Sequence, residues 1–108
     1  MSFNIIPTPP FVKELKHLAK KYPSIKKDFA EQTGRLLQEP KTGTPLGNNC
    51  FKIRMAITSK GQGKSGGARV ITFVQVIITT IFLLSIYDKA DIENISDKVL
   101  KERLKGLK

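Results

Sequence analysis

The stretch VITFVQVIITTIFLLSIY, residues 70–87, decides how this chain folds. It carries no charge over eighteen positions, a length that by itself fits a membrane-spanning helix. Eleven of its residues are β-branched, however, and threonine, glutamine and serine interrupt the apolar run. This composition favours buried strands over a helix. We therefore predict two strands, near 68–76 and 80–87, joined by a tight turn around 77–79.

The segment before this stretch alternates between two kinds of side chain, as a strand with one buried face does. The apolar members of the alternation are Phe51, Ile53, Met55 and Ile57. Lys52 and Arg54 fall on the opposite side. We therefore predict a third strand that presents two cations away from the core.

The segment SKGQGKSGGAR, residues 59–69, connects these strands and contains four glycines but no acid. Its first three glycines spell G-x-G-x-x-G, but a strand follows them where a dinucleotide site or a phosphate loop requires a helix. We interpret the segment as a long, mobile hairpin loop. In this loop Lys60 and Lys64 would reach phosphate oxygens, and the backbone amides of Gly66 and Gly67 would approach a phosphate closely.

The flanking segments complete an α+β pattern. A short strand at 3–7 ends in proline, and two amphipathic helices at 9–22 and 23–39 meet at a proline joint. Residues 41–49 read as a loop, and Ser96 is placed to cap a terminal helix. The predicted order is β-α-α-β-β-β-α. It describes an antiparallel sheet of about four strands, a two-helix hairpin packed on one face, and a C-terminal helix.

Length and cysteine content place the chain in a broad class. A chain of 108 residues suits one domain, spanning 1–108. Cys50 is the only cysteine, so no internal disulfide forms, as is typical of a reducing cytosol. The N-terminus lacks the basic and apolar regions of a signal peptide. We expect a cytoplasmic protein without a membrane association.

The charge is strongly positive and unevenly distributed. The formal net charge is +10, and none of the nine acidic residues lies between positions 40 and 87. The cations of that region are Lys41, Lys52, Arg54, Lys60, Lys64 and Arg69. A solvated surface usually mixes both signs, so the segregation favours a polyanionic partner. Nucleic acid is the first candidate, and an acidic protein or an anionic membrane remains an alternative.

Lys52, Arg54 and Arg69 form the sharpest part of this hypothesis. If they share one face of the sheet, three cations converge on a small patch, which is unfavourable unless an anion lies among them. The alternative is that they point to solvent and only protect a sheet edge from aggregation.

Several segments together resemble the RelE/ParE superfamily of bacterial type II toxins, and its HigB-like members most. They are LKHLAKKYPSIKKDF, FKIRMAI, GKSGGARVI, FLLSIYDK and NISDKVLK. The resemblance implies a small α+β fold whose antiparallel sheet carries two helices on one face. It also implies a toxin that is neutralised by a cognate antitoxin. RelE-like members cleave messenger RNA, usually at the ribosomal decoding site, whereas ParE-like members poison DNA gyrase.

The resemblance also implies roles for individual residues. Lys52, Arg54, Arg69 and Lys89 match basic positions of the ribosome-dependent RelE-like enzymes, in which the ribose 2′-hydroxyl attacks the phosphate. Arg54 and Arg69 would hold that phosphate, Arg69 bidentately. Lys52 is the candidate proton acceptor.

One catalytic feature of the family has no counterpart here. The best-known RelE enzymes carry a tyrosine in the C-terminal segment, and residues 93–95 contain none. Tyr87 either substitutes for it from the last strand or is a core residue.

The resemblance implies an endoribonuclease that needs neither metal nor cofactor. Its implied partners are an acidic antitoxin, messenger RNA and ribosomal RNA. The free toxin is expected to be a monomer that assembles into a hetero-oligomer with the antitoxin. Two alternatives remain open from the sequence: a ParE-like poison of gyrase, and a basic RNA- or ribosome-binding module without activity.

Overall fold

A computed structural model describes residues 2–107, and its architecture is α+β, as predicted. Three α-helices pack on a five-stranded sheet. The elements are β1 (Asn4–Pro7), α1 (Pro9–Lys21), α2 (Ile25–Gln38), β2 (Thr44–Gly47), β3 (Cys50–Met55), a 3₁₀ turn (Thr58–Lys60), β4 (Ala68–Gln75), β5 (Thr80–Asp88) and α3 (Asp97–Lys105).

The uncharged stretch forms two buried strands. β4 and β5 pair antiparallel, and the turn between them covers the predicted position. Because that turn contains no glycine, Thr79 itself adopts a positive φ of 45°, and its amide donates to the Val76 carbonyl. Among residues 2–107, no helix combines the length and the apolar character that a bilayer crossing requires.

The sheet has one strand more than predicted, and it is mixed. The strand order is β1-β5-β4-β3-β2, with β1 parallel to β5 and the other pairs antiparallel. The additional strand, β2, lies inside the segment predicted as a loop. It is a short edge strand with a register shift between Pro45 and Gly47. Proline and glycine are tolerated at such an edge, and they conceal the strand in the sequence.

Helices cover both faces of the sheet. The predicted helical hairpin, α1 and α2, packs on one face, and its core consists of Phe11, Leu18, Ile25, Leu36, Ile53, Met55, Ile57, Ala68, Val70, Ile81, Leu83 and Ile86. The other face packs against α3 through Cys50, Ile71, Leu84, Tyr87 and Leu100. Since α3 has only nine residues, it covers part of this second face. The part of this face that α3 leaves uncovered contains Lys52 and Arg54.

An ion pair replaces a strand along the outer side of β5. β1 pairs with β5 only as far as Leu83. Beyond that point the Glu14 carboxylate accepts from the Ile86 amide at 3.3 Å, and Arg103 donates to the Leu84 carbonyl at 2.6 Å. Glu14 and Arg103 also bond each other at 3.0 Å. This pair satisfies backbone groups of β5 and links α1 to α3.

The buried hydroxyl of Thr72 gives a first testable prediction. Thr72 is fully buried in β4, and its Oγ1 has no hydrogen-bond partner among residues 2–107. Because an unsatisfied buried hydroxyl is destabilising, Thr72→Val is expected to raise the free energy of unfolding by about 1 kcal/mol in urea denaturation. Thr80→Val is the matched control, since the Thr80 hydroxyl donates to the Ile78 carbonyl at 2.9 Å. The control should be destabilised, and equal losses in both variants would contradict the prediction.

Candidate nucleic-acid interface

Strand register brings the predicted cations onto one face. Arg54 on β3 pairs with Arg69 on β4, and Arg69 pairs with Tyr87 on β5. Directly paired residues point to the same side of a sheet, and so do residues two apart on one strand, which adds Lys52. We call Lys52, Arg54 and Arg69 the basic row. It lies on the face that α3 covers only in part.

Arg54 is the most accessible member of the row. Its side chain is exposed, and within residues 2–107 it takes part in neither of the two ion pairs, which are Lys60–Asp88 and Glu14–Arg103. No hydrogen bond of its guanidinium is found over the same residues. All of its donors therefore remain available to an anion.

Arg69 differs from the expectation. It is only 4% exposed, and its guanidinium donates to the carbonyls of Lys64 at 3.0 Å, Ala68 at 3.1 Å and Ser65 at 3.2 Å. The resemblance implied that the Arg69 guanidinium binds a phosphate bidentately. Instead, the guanidinium is bonded to the glycine-rich segment. Burial lowers the pKa of Arg69, and the charge of Arg54 lowers it further, but an arginine stays protonated. Arg69 is therefore a fixed, buried positive charge on the strand next to Arg54.

The glycine-rich segment is tied down at its start, although the sequence predicted a mobile loop. The Asp28 carboxylate of α2 accepts from the Thr58 amide at 2.8 Å and from the Thr58 hydroxyl at 2.6 Å. Burial raises the pKa of Asp28, but the hydrogen bonds from Thr58 and Ser24 outweigh burial, so the pKa lies below its ordinary value. Ser24 also bonds Ser59. These contacts fix where the segment leaves β3.

Lys60 requires a correction. Its ammonium lies 2.7 Å from the Asp88 carboxylate, with side-chain exposures of 12% and 0%. Asp88 also accepts from the Tyr22 hydroxyl and the Ala90 amide. Since Asp88 follows Tyr87 on β5, it points to the face opposite the basic row. Lys60 is therefore a structural partner of Asp88 and not a free phosphate ligand.

Gly67 also requires a correction. Its amide donates to the Lys64 carbonyl at 3.3 Å, and its carbonyl accepts from the Lys89 amide at 3.1 Å. A Cβ at this position would overlap the Met55 carbonyl oxygen. The residue is glycine because two backbone segments pass close together, so its amide is not available to a phosphate. A Cβ at Gly66 would meet only the flexible Gln62 side chain.

Gly67→Ala is accordingly expected to lower the free energy of unfolding by about 1–3 kcal/mol, because the methyl group displaces packed backbone. Gly34→Ala in α2 is the matched control, since no atom lies within 4 Å of its added Cβ. The control should raise stability by about 0.5–1 kcal/mol through helix propensity. Thermal unfolding followed by circular dichroism measures both, and a Gly67→Ala protein as stable as the wild type would refute the close approach.

Residues 93–95, where the resemblance implied a tyrosine, lie against the basic row. The Lys52 ammonium donates to Asn94 Oδ1 at 2.8 Å, and the Ile95 amide donates to the Tyr87 hydroxyl at 3.1 Å. Tyr87 is 5% exposed and packs in the α3 cluster. Burial raises its pKa, so the phenol is protonated at neutral pH. Tyr87 is thus a buried residue next to Arg69, and it holds the segment in place.

Two further predicted cations, Lys64 and Lys89, are exposed. Lys64 lies in the glycine-rich segment beside Arg54, and Lys89 follows the end of β5, with its backbone bonded to Gly67. Cys50, by contrast, is fully buried, and burial raises the pKa of its thiol to about 11. The thiol is therefore not a nucleophile at neutral pH.

Gln32 and Arg35 of α2 were not predicted from the sequence. They face Lys52, Arg54 and Lys64 across a groove of about 290 Å³. In the sequence Arg35 reads as a solvated residue at the end of an amphipathic helix. No local pattern connects it with a strand almost twenty positions later.

No protein-family model matches the sequence, and no curated protein matches it. Solved structures do. E. coli toxin RelE, as a double arginine-to-alanine mutant in the free state, superposes with a TM-score of 0.66 at 16% identity over 100% of both chains. The same mutant in complex with a peptide of the antitoxin RelB gives 0.63 at 16% identity over 94% of both chains.

A third similar structure is the toxin–antitoxin complex RelBE2 from Mycobacterium tuberculosis. It gives a TM-score of 0.58 at 21% identity, over 84% of this chain and 95% of that one. At such identities the likeness establishes the fold: the chain has a RelE-like toxin fold. The closer resemblance to HigB-like members stays a prediction.

Proposed function

We propose that this protein is the toxin of a type II toxin–antitoxin pair and that it cleaves messenger RNA on the ribosome. The ribose 2′-hydroxyl would attack the adjacent phosphate and expel the 5′-oxygen of the next nucleotide. The observation that carries the proposal is the position of Arg54. It is an exposed guanidinium without an ionic partner among residues 2–107, paired across the sheet with a buried second guanidinium, on a RelE-like fold.

The attack places additional negative charge on the phosphate oxygens, and fixed cations stabilise that charge. Arg54 would bind the non-bridging oxygens through its planar fork. Arg69 would contribute through its charge alone, because its donors are bonded to the glycine-rich segment. The resemblance implied that both arginines hold the phosphate; in this proposal only Arg54 binds it, and Arg69 adds positive charge.

Proton transfer is assigned to lysines. Lys52, next to Asn94, would accept the proton of the 2′-hydroxyl, a role that only its unprotonated amine can perform, and Lys89, beyond the β5 end of the row, would supply a proton to the departing oxygen. Tyr87 is a positioning residue in this proposal, since its hydroxyl bonds the backbone of Ile95.

An acidic antitoxin is the proposed protein partner. The net charge of +10 favours fast, tight association with an anionic chain, and it also favours binding to messenger and ribosomal RNA. Two of the similar structures described above are complexes with an antitoxin. We propose that the free toxin is a cytoplasmic monomer that forms a hetero-oligomer with its antitoxin.

Primer extension tests the activity. After the protein is induced in bacteria, messenger RNAs should show new 5′ ends inside translated codons, and these ends should disappear when translation is blocked. Arrested growth with intact transcripts would overturn the proposal.

A second candidate is a basic RNA-binding module without cleavage. It is favoured by the two tyrosines, both of which have bonded hydroxyls: Tyr22 donates to Asp88, and Tyr87 accepts from Ile95. Purified protein that binds ribosomes in a salt-dependent way, but leaves bound messenger RNA uncut, would favour this candidate.

A further inference from the structure

A groove runs along the outer side of β3, beyond the point where β2 stops pairing with it. β2 reaches only Lys52, so the space beside Arg54 is open to α2. Among residues 2–107, four cations and no carboxylate line this α2–β3 groove; the cations are Arg35, Lys52, Arg54 and Lys64. Its volume is about 290 Å³. The charge of its lining indicates an anionic ligand.

Gln32 supplies an uncharged polar side chain to the same groove. Gln32 as a whole is only 5% exposed and lines the groove, but its side-chain amide makes no hydrogen bond with any of residues 2–107 and is not among the fully buried polar atoms, so the amide is accessible from the groove. An amide carries both donors and an acceptor, so it can bond the edge of a nucleobase.

Two acids of α2 lie close to the groove, but within residues 2–107 neither forms an ion pair with its cations. Asp28 and Glu31 line an adjoining depression, which shares Gln32, Arg35, Arg54 and Lys64 with the groove. Both oxygens of Asp28 are bonded to Thr58. Glu31 is exposed and lies one helical turn before Arg35, but across residues 2–107 the two do not form an ion pair.

We infer that the α2–β3 groove is a second nucleotide subsite for single-stranded RNA, next to the basic row. Arg35 and Lys64 bind the phosphate of a nucleotide that flanks the scissile one, and the Gln32 amide bonds the edge of its base. Arg54 lies on both the groove and the row, so a continuous RNA backbone passes from one to the other. The inference rests on the proposed function in that it takes RNA as the ligand.

The test uses a six-nucleotide, fully 2′-O-methylated RNA, which lacks the attacking hydroxyl and stays intact. Fluorescence anisotropy over a range of salt concentrations gives its affinity for the wild type and variants. Arg35→Ala should weaken binding about tenfold and reduce the salt slope by about 0.7, the value for one single-strand phosphate contact. Gln32→Leu should weaken binding about three- to tenfold and leave the slope unchanged, because it removes no charge.

Lys16→Ala on α1 is the matched control for loss of one positive charge away from the groove, and it should change the affinity less than about twofold. Circular dichroism of each variant verifies folding; Arg35 is exposed, so its variant tests the groove even if Gln32→Leu is unstable.

The outcomes separate the two proposals. If Arg35→Ala and Gln32→Leu bind like the wild type while Arg54→Ala binds weakly, the groove is overturned and the basic row stands. If only Gln32→Leu behaves like the wild type, the base contact is overturned. If the wild type binds neither the probe nor the ribosome, both the groove proposal and the proposed function are overturned.

Discussion

Arg54→Ala is expected to lower the rate of messenger RNA cleavage about 100- to 1,000-fold, the effect of removing one preorganised donor from a developing oxyanion. The physical reason is that Arg54 is the member of the basic row whose guanidinium is exposed and makes no bonds within residues 2–107. Cleavage of a translated message on purified ribosomes measures the rate. Growth after induction should recover in parallel.

The same variant should leave the fold unchanged. An exposed side chain that makes no hydrogen bond contributes within about 0.5 kcal/mol to stability, so the free energy of unfolding should match that of the wild type. Arg54→Lys keeps the charge but loses the planar fork, and an intermediate rate is expected. Lys16→Ala should cleave normally. Near-normal cleavage by Arg54→Ala would refute its role at the phosphate.

Arg69 shows why the sequence alone could not identify Arg54 as the residue whose substitution tests activity without affecting stability. By sequence alone, Arg69→Ala is expected to remove toxicity while the fold stays intact. In the structure the Arg69 guanidinium is buried and bonded to three carbonyls of the glycine-rich segment. Its loss should therefore lower both stability and activity, and it cannot separate the two. Strand periodicity fixes the face on which a side chain lies, but not which partners it finds there.

The sequence predicts best those parts of the fold whose apolar residues follow a clear pattern. The β-branched run of 70–87 and the alternation of 51–57 both require burial on defined faces, so few arrangements satisfy them. β2 had no such signal, because its pairing depends on β3 and its residues are mostly exposed. β2 forms because β3 provides a strand to pair with, and its own composition does not predict a strand.

The site is predictable to the same extent. The shared face of Lys52 and Arg54 follows from their spacing of two, and pairing with Arg69 follows from a hairpin. The ion pair of Lys60 with Asp88 joins residues 28 positions apart on different elements. The segment around Lys60 contains no acidic residue, but the fold brings the Asp88 carboxylate next to it. Gln32 and Arg35 reach the site only because α2 packs beside β3.

Asp88→Asn is expected to lower the free energy of unfolding by about 3–5 kcal/mol at neutral pH, because it leaves the Lys60 ammonium largely buried without its counter-charge. The amide has one acceptor oxygen, so it can keep the bond from the Tyr22 hydroxyl or the bond from the Ala90 amide but not both, and the loss includes one hydrogen bond besides the charge. Adding Lys60→Met should recover part of the stability by removing the unpaired cation. Asp91→Asn is the matched control: it removes a carboxylate that is exposed, and it should cost less than about 0.5 kcal/mol.

The pH dependence gives this prediction a sign. Burial raises the pKa of Asp88, but the hydrogen bonds from Lys60, Tyr22 and the Ala90 amide lower it more, so the folded-state pKa lies below the unfolded value of about 3.9. A carboxyl with a depressed pKa stabilises the fold above its unfolded pKa, and this contribution is lost as the pH falls through the folded value. The difference in urea unfolding free energy between wild type and Asp88→Asn should therefore be constant from about pH 7 to 5 and shrink below about pH 4. A difference that grows on acidification, or a double variant no more stable than Asp88→Asn, would mean that Lys60 is not held by the Asp88 charge, and the ammonium would again be available to RNA.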